Sequence, residues 1–288
     1  MLLFWLHQSG PDTFSDTDLL PVRQEIPANA NGWPILQSAA DKLHWPPELS
    51  KRSGHFAAPE TWDSSRVTAF LEENQDTLRL FESALACDRF QVPPPQSAFE
   101  DYDYLSDWRC LATVALIRAE DRFRHGEEAE GFRAALAVVR FGHRLQESDG
   151  VLIHYWVATR IRHQALDRIR WMTSRTTLPP ETLIEFIRAL EPYASSTSGL
   201  ANALKTEYQL AKETIAEMAK GRIPTQTNSP LDQVAFRFGS RLFLKVERSR
   251  DRLAELCRTS LADLERPYAA ERRRAELHEA DVASRLSS

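Results

Sequence analysis

The run Leu105-Ser106-Asp107-Trp108-Arg109-Cys110-Leu111-Ala112-Thr113-Val114-Ala115-Leu116-Ile117-Arg118-Ala119, continued to Met172, decides the fold class. Leu105, Trp108, Leu111, Ala112, Ala115, Leu116, Ala119 and Phe123 recur at intervals of three and four, which predicts one helix. Ser106 is its expected N-cap and Gly126 its expected left-handed stop. Glu127 and Glu128 open a second helix, where carboxylates favour the dipole, with a face of Phe132, Ala135, Leu136, Val139, Phe141 and Leu145. Asp149-Gly150 breaks it. A third helix follows, carrying Val151, Leu152, Tyr155, Trp156, Ile161, Ala165, Leu166, Ile169 and Met172. Connections this short predict antiparallel neighbours.

Working outward, Asn31-Gly32-Trp33-Pro34 opens a helix with Pro34 in the first turn, ended by Trp45-Pro46-Pro47. Asp63 or Ser64 caps a longer one running through Val67, Phe70, Leu78, Phe81 and Leu85. Pro93-Pro94-Pro95 predicts an extended crossover, with Tyr102, Tyr104 and Trp108 packed against it. Thr177-Leu178-Pro179-Pro180-Glu181 starts another helix, stopped at Glu191-Pro192. One more runs from about Ser198 to Gly221, and the longest from about Leu231 to Leu264. No alternating Val/Ile/Thr run reads as a strand. The expectation is an all-α fold, an irregular multi-helix bundle or helical-hairpin array of about eight helices. It comprises an extended or anchor-proximal lead at 1–30, a single α-helical domain at 31–264 and a polar tail at 265–288.

The 288 residues are 42% hydrophobic and 27% charged, which suits a folded soluble chain and argues against wholesale disorder. The formal charge of −5 argues against nucleic acid as a partner. Cys87, Cys110 and Cys257 are far apart, without the spacing of a metal or redox motif. No segment reaches the ~20 apolar residues that span a bilayer. The apolar start Met1-Leu2-Leu3-Phe4-Trp5-Leu6 has two readings: a segment docked on the core, or the end of a membrane anchor that begins upstream.

Chemistry is sparse. His143 and Glu147 share a helical face at i and i+4, but no third ligand is in pattern, so no metal or other cofactor is expected. Nucleophile elbows, phosphate loops and dinucleotide fingerprints do not occur, and no catalytic residue is assigned. Arg237, Arg241, Lys245, Arg248 and Arg252 form a basic stripe, the candidate site for lipid headgroups or phosphates. Glu247, Asp251 and Glu255 interrupt it, so a solvated face is the first reading. Arg160, Arg162, Arg168 and Arg170 crowd an otherwise apolar helix and are the other candidate functional residues. Burial against Asp or Glu partners is their expected role.

His125-Gly126-Glu127-Glu128-Ala129, with Ala134-Ala135-Leu136, resembles the turn and second helix of a tetratricopeptide-type hairpin, in a single copy. More broadly, Asp18-Leu19-Leu20-Pro21, Asn31-Gly32-Trp33-Pro34-Ile35-Leu36 and Ala84-Leu85-Ala86-Cys87-Asp88-Arg89-Phe90 resemble a group of uncharacterised bacterial helical proteins. Ala135-Leu136 through Leu145 and Leu178-Pro179-Pro180-Glu181 fit the same group. Its members often carry one N-terminal membrane anchor and a helical domain outside the cytoplasm, which the resemblance implies here. The expected function is a non-catalytic interaction or structural module with a protein partner, at a membrane surface. The alternatives are an enzyme or small-molecule binder with an inter-helix pocket, and anion binding through the basic helix.

Overall fold

The computed structural model describes residues 15–47, 49, 62–95, 100–194, 197–220, 246–264 and 266. The fold is all-α: among these residues there is no strand, only an isolated bridge between Asn31 and Arg89. In order come α1 (Trp33–Asp41), α2 (Ser64–Glu73), α3 (Gln75–Ala86), α4 (Tyr104–Arg124), α5 (Glu128–Gln146), α6 (Leu152–Thr173), α7 (Pro180–Leu190), α8 (Thr197–Ala219) and α9 (Val246–Leu264). Short 3-10 turns lie at Thr17–Leu19, Ala28–Ala30 and Glu191–Tyr193. The segment read as one domain divides into two compact units. The larger comprises described residues within Val22–Gln96 and Glu100–Ala203, the smaller those within Met1–Pro21 and Leu204–Ser288.

In the larger unit α4 is the central helix. Residues 110 to 117 are all buried, so it lacks a solvent face along that length, as expected of a helix apolar all round. Helix α5 packs on both α4 and α6. A Cβ at Gly142 would lie 2.9 Å from the Ala158 carbonyl oxygen, so this glycine permits the closest approach of α5 to α6. Gly126 ends the α4 region at φ +87°, the left-handed stop expected from the sequence. Helix α4 begins two residues before Ser106; that hydroxyl lies in the first turn and donates to the Asp103 carbonyl.

The helix expected from Asp63 to Ala86 is interrupted at Asn74. Asp63 is the N-cap of α2, accepting from the Arg66 amide at 2.8 Å. Asn74 is fully buried; it accepts from the His44 amide and donates to the carbonyls of His44 and Phe70. A side chain that satisfies neighbouring backbone groups competes with the helix ladder, which explains the break. The C-terminus of α3 is closed by Arg140 and Arg144 of α5, which donate to the Leu85 carbonyl at 2.7 and 2.8 Å. Cations at carbonyl-rich helix ends are favoured.

Helix α7 begins at Pro180 without a Thr177 cap. Glu128 of α5 accepts from both threonine hydroxyls, at 2.5 Å from Thr176 and 3.0 Å from Thr177. Tyr102, Tyr104 and Trp108, the aromatics expected against the proline run, gather around His154, and Trp33 stands against Tyr104 and Trp108.

In the smaller unit, the part of α8 from Leu204 and helix α9 share a core of Leu19, Tyr208, Ala254 and Cys257. The lead is therefore extended in part, but its 3-10 turn supplies core. All three cysteines are free thiols.

Candidate functional site

The inward stripe of α6 runs His154, Ala158, Ile161, Ala165, Arg168, Met172, at alternating steps of four and three. Two of its members are polar, so its chemistry is decided by what they meet. His154 is 2% exposed. Its Nδ1 accepts from the Val151 amide at 3.2 Å, which leaves the proton on Nε2, 2.5 Å from Tyr104 Oη. Burial pushes its pKa down to about 4, so the ring is neutral near pH 7. Protonation would also set Nδ1–H against the Val151 N–H.

Arg168 reaches Glu120 at 2.6 Å, and Arg124 reaches the same carboxylate at 2.5 Å. Glu120 is 7% exposed, so two guanidinium groups hold one buried charge. Burial lowers the Arg168 pKa, an effect that Glu120 opposes and Arg124 reinforces. The guanidinium carbons of Arg124, Arg168 and Arg175 stand 5.5, 5.3 and 4.7 Å from the Trp171 ring centroid.

A second polar seam lies between α5 and α6. Gln146 is buried, donates to Thr159 Oγ1 at 2.7 Å and accepts from Arg162 at 2.8 Å. His143 lies on the same side of α5, its ring 5.3 Å from Tyr193 and its Nε2 3.9 Å from Glu147, beyond hydrogen-bonding distance. Burial lowers its pKa, Glu147 opposes this, and Arg162 and Arg144 add to it. His143 is thus largely buried beside an exposed Glu147, and the pair is not a solvated surface contact. Among the described residues no group of three or more His, Cys, Asp or Glu is placed to hold a metal ion.

The structure thus separates the four arginines of α6. Arg162 and Arg168 turn inward to Gln146 and Glu120, whereas Arg160 is exposed and Arg170 pairs at the surface with Asp167. Of the basic stripe, Arg237, Arg241 and Lys245 lie outside the described residues. Arg248 and Arg252 border a shallow groove on α9 with Asp251, Glu255 and Leu256. Acidic side chains share that groove.

Besides Leu256 and, in the lead, Leu20 and Val22, two pairs of apolar side chains on helices are exposed. On α6, Ile153 and Trp156 are 43% and 66% exposed; Trp156, expected on the packed face, stands two residues off the inward stripe. On α7, Ile184 and Ile187 are 46% and 60% exposed, while Leu183, Phe186 and Leu190 pack on the core. Helix α7 is apolar on two sides, a pattern visible in the adjacent pairs Leu183-Ile184 and Phe186-Ile187. Glu120 and Arg124 carry no signal in the sequence, because they meet Arg168 from another helix, α4; Trp171 lies three residues from Arg168 on α6 itself.

A half-open cleft of about 570 Å³ is lined by Trp45, Trp62, Phe70, Arg66, His44 and Glu73, among others. Among the described residues no helix is long and apolar enough to cross a membrane. No family model, curated protein or solved structure matches this chain.

Proposed function

We propose that this protein is a non-catalytic interaction module that docks a protein partner on the apolar pairs of α6 and α7, at a membrane surface. The observation that carries this reading is Trp156. It is the largest exposed apolar side chain described, on a helix whose other face is packed. Tryptophan is the residue type most enriched at binding hot spots, and leaving one in water has no folding benefit. Ile153, one turn before it, adjoins it, and the α7 pair supplies a second exposed apolar site.

The test is site-specific photo-crosslinking in the host cell, with the reactive residue at position 156 or 187 and controls at exposed Ser65 and Glu72 of α2. The expected result is one recurrent protein adduct from 156 and 187 that the controls lack. Equal, non-recurrent labelling at all four positions would end this reading. A second reading, a small-molecule binder, is favoured by the aromatic cleft at Trp62. A Trp62→Ala chain that loses an otherwise retained co-purifying metabolite would support it.

A further inference from the structure

Residues 15–19 are held by the smaller unit in the manner of a bound peptide. Leu19 is fully buried, packed in one cluster with Tyr208, Ala254, Cys257, Leu204, Leu253 and Leu261. Asp16 accepts from Tyr208 Oη at 3.0 Å and from Lys212 Nζ at 2.5 Å. Asp18 receives both prongs of the Arg258 guanidinium, each at 2.8 Å, and Arg258 also donates to the Ser15 carbonyl. Gln209 donates to the Leu19 carbonyl at 3.1 Å. The segment itself is one 3-10 turn, closed by the Leu19 amide on the Asp16 carbonyl at 2.9 Å.

Each recognition group comes from α8 or α9, and each contacts a feature that a short free peptide would also carry. The chemistry is that of a linear-motif site. A fork-on-fork ion pair sets orientation, a second carboxylate meets a lysine and a phenol, and one leucine fills an apolar seat. The carboxylates stay ionised: Lys212, then Tyr208, lower the Asp16 pKa against the effect of burial, and Arg258 lowers that of Asp18. Side-chain exposures of 40% for Arg258 and 55% for Asp18 leave that pair open to exchange from solvent.

We infer that the α8–α9 surface is a binding site for an acidic Asp-x-Asp-Leu turn presented in trans, and that residues 16–19 occupy it in cis as an internal competitor. This goes beyond the α6–α7 reading and does not depend on it. A tethered segment has a high local concentration, so it masks the site until displaced.

The test uses the full chain and a fluorescein-labelled peptide of the sequence Ser15–Pro21, read by anisotropy. Leu19→Asp should release the internal segment and bind the peptide about tenfold or more tighter than the wild type. Adding Arg258→Glu should abolish that gain, and a peptide with both aspartates changed to asparagine should not bind. A Leu19→Asp chain that binds no better than wild type, or binding that survives Arg258→Glu, overturns the proposal. Asp16→Asn with Asp18→Asn provides a second release variant that keeps the leucine. Loss of helical circular dichroism in both variants also overturns it, because residues 15–19 would then be integral core.

Discussion

The two units are stabilised by different kinds of contact. In the larger, α4, α5 and α6 follow one another in sequence and bury aliphatic and aromatic side chains directly between them. In the smaller, cohesion between the lead and α8–α9 rests on Leu19, Asp16, Asp18 and the Ser15 carbonyl, whose partners lie about 185 to 243 positions away. Apolar burial between sequence neighbours responds little to salt. The half-exposed Arg258–Asp18 pair is screened by salt, and both aspartate pairs weaken once acid reaches the carboxylate range. The difference assigns a stable scaffold to the larger unit and an adjustable contact to the smaller.

The largest effect expected is from the scaffold core. Trp108 is 1% exposed, and Trp108→Ala should cost about 4 kcal/mol in urea unfolding followed by circular dichroism. Leu19→Ala should cost about 3 kcal/mol by the same cavity argument, read as faster amide exchange in α9 with α4 unchanged. Loss of protection in α4 as well would break the comparison.

Acid should reach the two units in turn. His154 has its pKa lowered from 6.5 to about 4, so the unfolded chain takes up a proton that the folded chain refuses. Stability from this group is present above pH 6.5 and declines as the pH falls, by about 3 kcal/mol at pH 4. Asp16 and Asp18 are lowered from 3.8, so their contribution is lost only below that value. A stability profile that is flat between pH 6.5 and 4 in the wild type, or that keeps its slope in His154→Gln, would refute the assignment.

The smallest effects separate two arginines two positions apart, on opposite sides of the same turn. Arg168→Ala leaves buried Glu120 with Arg124 alone and should cost about 2 kcal/mol, less than removing a sole buried partner. Arg170→Ala removes an exposed pair and should change stability by less than about 0.5 kcal/mol. Equal costs would show that burial of Glu120 does not depend on Arg168.

Much of the helical architecture was legible because its signals are local. Gly126 stops a helix through its own φ, Asp63 caps one through an amide three residues on, and Pro34 and Pro180 open helices through ring geometry. The errors fall where a distant partner intervenes. Asn74 breaks a continuous apolar pattern because it satisfies His44, thirty positions away. Glu128 takes over the hydroxyl of Thr177, where the helix start was expected, and Trp156 is exposed because the stripe that meets α5 is set by Ala158 and Ile161.

Of the candidate surfaces, the density of arginine on α6 was visible, but the division between inward Arg168 and outward Arg170 was not. A guanidinium's role depends on whether a carboxylate on another helix lies within reach, and sequence spacing along one helix carries no such information. The stretch from Leu105 to Met172 determined by itself that the chain is helical, since hydrophobic period is a property of neighbours. What the fold adds at Trp171, at His154 and around Leu19 was decided only by tertiary structure, because Arg124, Tyr104 and the α8–α9 partners of Leu19 come from distant segments that no local rule connects.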